Sequence, residues 1–156
     1  MSSFERARWL ALLVPAGLML GALGSQYIGG LHPCEMCYWQ RWPHDVAIVA
    51  AMFAFGLRNH AWKGRFVVLA ALGILTSGLI GVFHAGVEYG WWEGITQCTA
   101  TPGHSGNLMA DIMNAPLIRC DQPQWEVFGI SLAGFNALIS IGAALVILNL
   151  LRQKDA

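Results

Sequence analysis

Phe66-Val67-Val68-Leu69-Ala70-Ala71-Leu72-Gly73-Ile74-Leu75-Thr76-Ser77-Gly78-Leu79-Ile80-Gly81-Val82-Phe83-His84-Ala85-Gly86-Val87 contains no Asp, Glu, Lys or Arg. A helix crosses the hydrocarbon of a bilayer with about 20 mostly apolar residues. This stretch therefore reads as a transmembrane helix. Working outward, Trp9 to Cys34 and Val127 to Leu151 are two more uncharged runs of that length. Val46 to Leu57 is a shorter one that approaches a span once Trp42 to Asp45 are added at its start. The expected fold is an all-α membrane protein, a four-transmembrane-helix bundle. Its helices fall near residues 9–27, 42–57, 66–87 and 127–151, and its two periplasmic loops near 28–41 and 88–126. Residues 1–156 form one membrane domain.

Composition agrees. Hydrophobic residues make up 56% of the chain and charged residues 12%, the latter about half the share usual in soluble domains. The net charge of +0 offers no basic patch for nucleic acid. Arg6 and Arg8 before an apolar stretch, with Ala22-Leu23-Gly24 beyond it, also fit a cleavable signal peptide. Three further spans favour a retained first helix.

Four spans put alternate connections on opposite sides. Arg6, Arg8, Arg58, Lys63, Arg65, Arg152 and Lys154 fall on one side, and Arg41 and Arg119 on the other. The positive-inside rule then places both termini in the cytoplasm. All seven tryptophans lie at or near an expected helix end, where amphipathic rings meet lipid headgroups. Gly17 with Gly21, and Gly73, Ser77 and Gly81 in succession, are spaced to let helix backbones approach closely.

Chemistry concentrates in His32-Pro33-Cys34-Glu35-Met36-Cys37-Tyr38-Trp39-Gln40-Arg41. A two-residue gap lets two sulfurs reach bonding distance, and a cation one helical turn beyond Cys37 can stabilise a thiolate. The same spacing serves as half a zinc site, and with Cys98 and Cys120 the chain has four potential ligands. All four cysteines fall on the non-cytoplasmic side, where two structural disulfides are a further reading. Two features favour redox chemistry. A Cys-x-x-Cys bridge closes too small a loop to restrain the unfolded chain much, and Cys98 and Cys120 lack the close spacing of a zinc ribbon.

These features together resemble the DsbB family of bacterial inner-membrane thiol:quinone oxidoreductases. The resemblance covers nearly the whole chain: four spans, Pro33-Cys34-x-x-Cys37 followed by Arg41, one cysteine pair in the second loop, and Trp125-x-x-Phe128-Gly129-x-Ser131 entering the last helix. It implies that the protein reoxidises a periplasmic dithiol oxidase of the DsbA type and passes the electrons to a membrane quinone, ubiquinone or menaquinone. It further implies that Cys98 and Cys120 form the disulfide that DsbA attacks at Cys98. Cys120 then exchanges with Cys34, and Cys37 faces the quinone with Arg41 beside it. No metal is implied.

By the same resemblance His84, four residues before Glu88, is a headgroup contact. Glu88 is grouped with it, although a capping polar pair is the alternative for both. Asn107 to Asn114 reads as a short amphipathic helix suited to the headgroup plane. Gly103, Ser105, Gly106, Pro116 and Pro123 around it would let the second cysteine pair move. Two other readings remain: an enzyme of the vitamin K epoxide reductase type, and a membrane scaffold with two structural disulfides.

Overall fold

The computed structural model describes residues 1–96, 98, 109 and 118–153. Apart from Met109, the amphipathic segment expected at 107–114 lies outside the described residues, as do Gly103, Ser105, Gly106 and Pro116.

Each helix starts where a side chain can satisfy its free amides. Ser2 caps α1 (Ser3–Tyr27) by accepting from the Glu5 amide at 3.1 Å, and the Glu5 carboxylate accepts from the Ser2 amide at 3.0 Å. This is a reciprocal capping box. Asn59 caps α3 (His60–Glu88), accepting from the amides of Ala61 and Trp62.

The cap of α2 (Glu35–Gly56) is a cysteine. Cys34 Sγ accepts from the Cys37 amide at 3.3 Å. The helix thus begins at Glu35 and not near Trp42: its first turns carry Glu35, Arg41 and Asp45, which break the uncharged run that marks a span in the sequence. Cys37 and Arg41 consequently occupy its first two turns, and the loop expected at 28–41 ends at Cys34.

Among the described residues there are four helices, with α4 spanning Leu132–Arg152. Three of them, α1, α3 and α4, are long and apolar enough to cross a membrane. α3 packs against both α2 and α4, and α1 closes the bundle against the same two. The interior is built from small side chains: Ala7, Ala11, Ala47, Ala51, Ala70 and Ala144 are fully buried. Leu20, Met52, Leu79 and Leu145 face outward and are exposed. Small residues inside and large apolar ones outside suit a lipid solvent, where helices associate by close van der Waals packing.

α3 makes the closest approaches. A Cβ on Gly73 would lie 2.8 Å from the Pro43 carbonyl oxygen of α2, and one on Gly81 would lie 3.0 Å from the Ala133 carbonyl oxygen of α4. The first helix behaves differently. A Cβ on Gly17 or Gly21 would meet nothing within 4 Å, and both glycines border a cavity instead.

The last helix starts later than the expected residue 127. Glu126–Val127 (β1) and Ile130–Ser131 (β2) pair as an antiparallel ribbon. Its two-residue turn takes Phe128 and Gly129 to φ 54 and 74, the left-handed geometry of tight hairpins. Ser131 then caps α4, accepting from the Gly134 amide at 3.1 Å. Tyr89 at the end of α3 latches the ribbon: its hydroxyl donates to the Gly129 carbonyl at 3.0 Å and accepts from the Ser131 amide at 2.9 Å.

Candidate functional site

All four cysteines meet at one end of the bundle. Cys98 and Cys120 are joined by a disulfide, and Cys34 and Cys37 are free thiols. Cys34, Met36, Val87 and Cys120 form a buried cluster, with Cys37, Phe83 and Cys98 packed against it. Cys34 Sγ lies 2.8 Å from Cys37 Sγ. Cys34 Sγ, Cys120 Sγ and a ring nitrogen of His84 all fall within 4.8 Å of one another. A dithiol and a disulfide therefore stand within reach of exchange. Those three groups also match a metal-ligand set in type, but the Cys120 sulfur is bonded to Cys98 and presents no thiolate.

The cap position explains the difference between Cys34 and Cys37. Cys34 is 4% exposed. Its hydrogen bond to Cys37, and then burial, push the Cys34 thiol far above the usual thiol range. Cys34 thus keeps its proton and shares it with Cys37 Sγ, which sits in the first turn of α2 where the helix dipole favours negative charge.

His84 is 2% exposed. Its Nε2 lies 3.6 Å from Cys34 Sγ and 3.6 Å from Glu88 Oε1. Glu88 in turn accepts a short hydrogen bond from the Ser131 hydroxyl, which ties the end of α3 to the start of α4. His84 and Glu88 thus join the cysteine cluster at the edge of a cavity of about 260 Å³. The cavity walls bring Cys37, Arg41, His84 and Glu88 together with apolar Leu18 and Phe135.

Arg41 stands in the same wall, but its head is turned to α1. Nη1 donates to Gln26 Oε1 at 2.6 Å and Nη2 to the Ala22 carbonyl at 3.2 Å. The guanidinium also lies 5.3 Å from the centre of the Tyr38 ring. At the mouth, Arg119 pairs with Asp121 across Cys120 at 2.8 and 2.5 Å. Those hydrogen bonds hold the Asp121 carboxyl below the usual carboxylate range.

Sequence reasoning missed a buried polar network beneath the thiols. Gln40 Nε2 lies 2.8 Å from His84 Nδ1, and Asn136 Nδ2 donates to Gln40 Oε1 at 2.8 Å. The Ser77 hydroxyl donates to the Gln40 carbonyl at 2.8 Å, and His44 Nε2 lies 2.9 Å from Asn136 Oδ1. The available signal was the presence of Gln40, His44, Ser77 and Asn136 inside otherwise apolar helices. Polar side chains at membrane depth face the interior and find partners there.

Fold and site together define a small membrane protein in which a free dithiol and a disulfide share one buried cluster. The chain belongs to the DsbB family: residues 5–150 match the family described as Disulfide bond formation protein DsbB. It is similar to Disulfide bond formation protein B of Alkalilimnicola ehrlichii, 27% identical over 88% of this chain and 91% of that one. The corresponding protein of Chromohalobacter salexigens is 29% identical over 88% of this chain and 73% of its own. An uncharacterized protein of Rickettsia prowazekii, RP370, is 24% identical over 75% and 70% of the two chains. No solved structure matches. The family function is disulfide bond formation, and its paired cysteines and membrane helices are present here.

Proposed function

We propose that this protein is a protein-dithiol:quinone oxidoreductase, reoxidising a DsbA-type periplasmic thiol oxidase and delivering the electrons to a membrane quinone. The observation that carries the reading is the meeting of Cys34, His84 and Cys120 within 4.8 Å, beside a cavity that Cys37 also lines. In this reading α2 is the fourth span, the chain is one domain of the bacterial inner membrane, both termini are cytoplasmic, and the cysteines face the periplasm.

A DsbA thiolate attacks Cys98, forming a mixed disulfide and releasing Cys120 as a thiolate. Cys120 attacks Cys34 of an oxidised Cys34–Cys37 pair, so that a Cys34–Cys120 bond forms and Cys37 leaves as a thiolate. The second DsbA thiol then resolves the mixed disulfide, and the freed Cys98 thiolate displaces Cys34 to restore Cys98–Cys120. That leaves the Cys34–Cys37 dithiol with a disulfide behind it, which is the arrangement described here. A quinone supplies the acceptor for two electrons and two protons from that dithiol. The cavity suits a single ring: its volume is about 260 Å³, its walls are mostly apolar, and Arg41, His84 and Glu88 supply polar groups. Arg41 and His84, which line the cavity with Cys37, would hold the headgroup, and Glu88 would orient His84.

The test is turnover by the purified full chain with reduced DsbA and a soluble analogue of ubiquinone or of menaquinone, followed as quinone reduction. The wild type reduces at least one class and Cys37→Ser reduces neither. Absence of turnover by the wild type with both classes overturns the proposal.

A further inference from the structure

His44 carries a nitrogen for which the described residues supply no partner. The residue is 3% exposed, it is among those that line the cavity, and its Nδ1 is buried without a hydrogen bond among the described residues. Buried polar atoms are almost always satisfied, so an orphan in a cavity wall calls for something that completes it.

What could complete it follows from the other side of the ring. Asn136 Nδ2 lies 3.3 Å from the Ser77 carbonyl oxygen, which can only accept, so the amide nitrogen must stand on that side. Asn136 Oδ1 then faces His44 Nε2 at 2.9 Å, and this oxygen too can only accept. The proton of the neutral ring therefore sits on Nε2. Nδ1 is left with a bare lone pair, which takes a hydrogen-bond donor. A quinone carbonyl offers no donor, whereas a quinol hydroxyl does.

We propose that His44 Nδ1 accepts a hydrogen bond from a hydroxyl of the reduced headgroup, a quinol, in the cavity between α1, α2 and α4. The inference rests on the quinone reading above and adds to it a residue that discriminates between the two forms. As the Cys34–Cys37 disulfide forms, the two thiols give up two electrons and two protons. Both go to the quinone, and His44 exchanges no net proton. By holding the product form more tightly, His44 raises the midpoint potential of the bound couple and draws electrons from the dithiol.

The experiment measures binding of a short-chain quinone and of its quinol, without oxygen, to the full chain in a Cys34→Ser/Cys37→Ser background that keeps the protein's redox state fixed. His44→Gln places an amide where Nε2 was, so Asn136 stays held, but removes the acceptor at Nδ1. His44→Asn keeps a polar atom near the Nδ1 position instead. Loss of one neutral hydrogen bond corresponds to about two- to tenfold weaker binding. His44→Gln is expected to show that loss for the quinol while quinone affinity changes less than about twofold by the same reasoning. His44→Asn retains more of the quinol affinity. A tenfold selective loss is a downward shift of about 30 mV in the bound couple.

A second measurement does not depend on how the variants fold. In the chain with His44 intact, the nitrogen-15 resonance of His44 Nδ1 moves when quinol is added and stays in place when quinone is added. Equal losses for both forms in His44→Gln, or no loss for either, overturn the assignment while leaving the quinone reading standing. Failure of the parent chain to bind either form overturns both.

Discussion

Gln40 Nε2 lies 2.8 Å from His84 Nδ1 and 3.2 Å from the Met36 carbonyl oxygen. The carbonyl can only accept, so the Gln40 amide nitrogen is fixed on that side and must also donate to His84 Nδ1. The His84 proton is thereby placed on Nε2, facing Cys34 Sγ at 3.6 Å. Gln40→Glu keeps the shape but presents an acceptor to Nδ1, which moves the proton there and turns a lone pair toward Cys34. The expected outcome is slower formation of the Cys34–Cys120 bond with the fold retained, measured by acid-quench trapping of that disulfide. Gln40→Leu strands partners in the interior and lowers stability by about 1–3 kcal/mol, read from thermal unfolding in lipid discs.

Arg41 holds α1 to α2 through Gln26 and the Ala22 carbonyl. A lysine at 41 presents a single ammonium that cannot reproduce this forked contact. Arg41→Lys is expected to raise the quinone KM, with a smaller effect on the rate of exchange with DsbA. Gln26→Ala removes one charge-assisted hydrogen bond and lowers stability by about 1.5–3 kcal/mol. A quinone KM unchanged in both variants would count against Arg41 as a headgroup residue.

The glycines of α1 and α3 predict opposite tolerance. Gly81→Ala drives a Cβ to within 3.0 Å of the Ala133 carbonyl oxygen and 3.1 Å of the Ala137 amide nitrogen, both backbone atoms. Overpacking of this kind costs about 1–3 kcal/mol. Gly24→Ala meets nothing within 4 Å and leaves stability unchanged or raises it by up to about 1 kcal/mol. Thermal unfolding of the two variants side by side decides it; equal effects would contradict the α3–α4 approach.

Alkylation should separate the two thiols of the reduced pair. The hydrogen bond to Cys37, and then burial, raise the Cys34 pKa in the folded state, so Cys37 is expected to alkylate first and Cys34 to resist modification even near the ordinary thiol pKa. The sign for stability follows from the raised value. The folded state holds the Cys34 proton more tightly than the unfolded state does, so the contribution is complete below the unfolded pKa and is lost as pH rises beyond it. Reduced protein should therefore lose stability above about pH 9, more steeply than Cys34→Ser. Mass spectrometry of the alkylated chain and unfolding curves against pH provide the two readouts.

How much of this was legible in the sequence differs from element to element. α1, α3 and α4 announce themselves because lipid demands long uncharged runs. α2 does not, since Glu35, Arg41 and Asp45 interrupt its pattern and its cap is a sulfur, which no capping rule based on oxygen anticipates. The ribbon at Glu126 to Ser131 lay hidden within an apolar run that reads as helix, and only Gly129 hinted at a turn. Among the site residues, Cys34, Cys37, Cys98, Cys120, His84 and Glu88 meet at one end of the bundle. Arg41 shares their cavity but spends its hydrogen bonds on α1. Gln40 and His44 share one face of α2, but their partners Ser77, His84 and Asn136 come from α3 and α4, so the network emerges only from the crossing of the three helices.

The N-cap of α2 has a sulfur where other helices have a hydroxyl or an amide. Cys34 is the acceptor that pins the first turn, and in the proposed cycle it is also the atom that changes its covalent partner. In that cycle each exchange with Cys120 would draw the Cys34 sulfur away from the Cys37 amide. The proposed cycle would thus make the opening turn of α2 a gauge of oxidation state, with deuterium uptake at the Cys37 amide rising and falling as the pair is reduced and reoxidised.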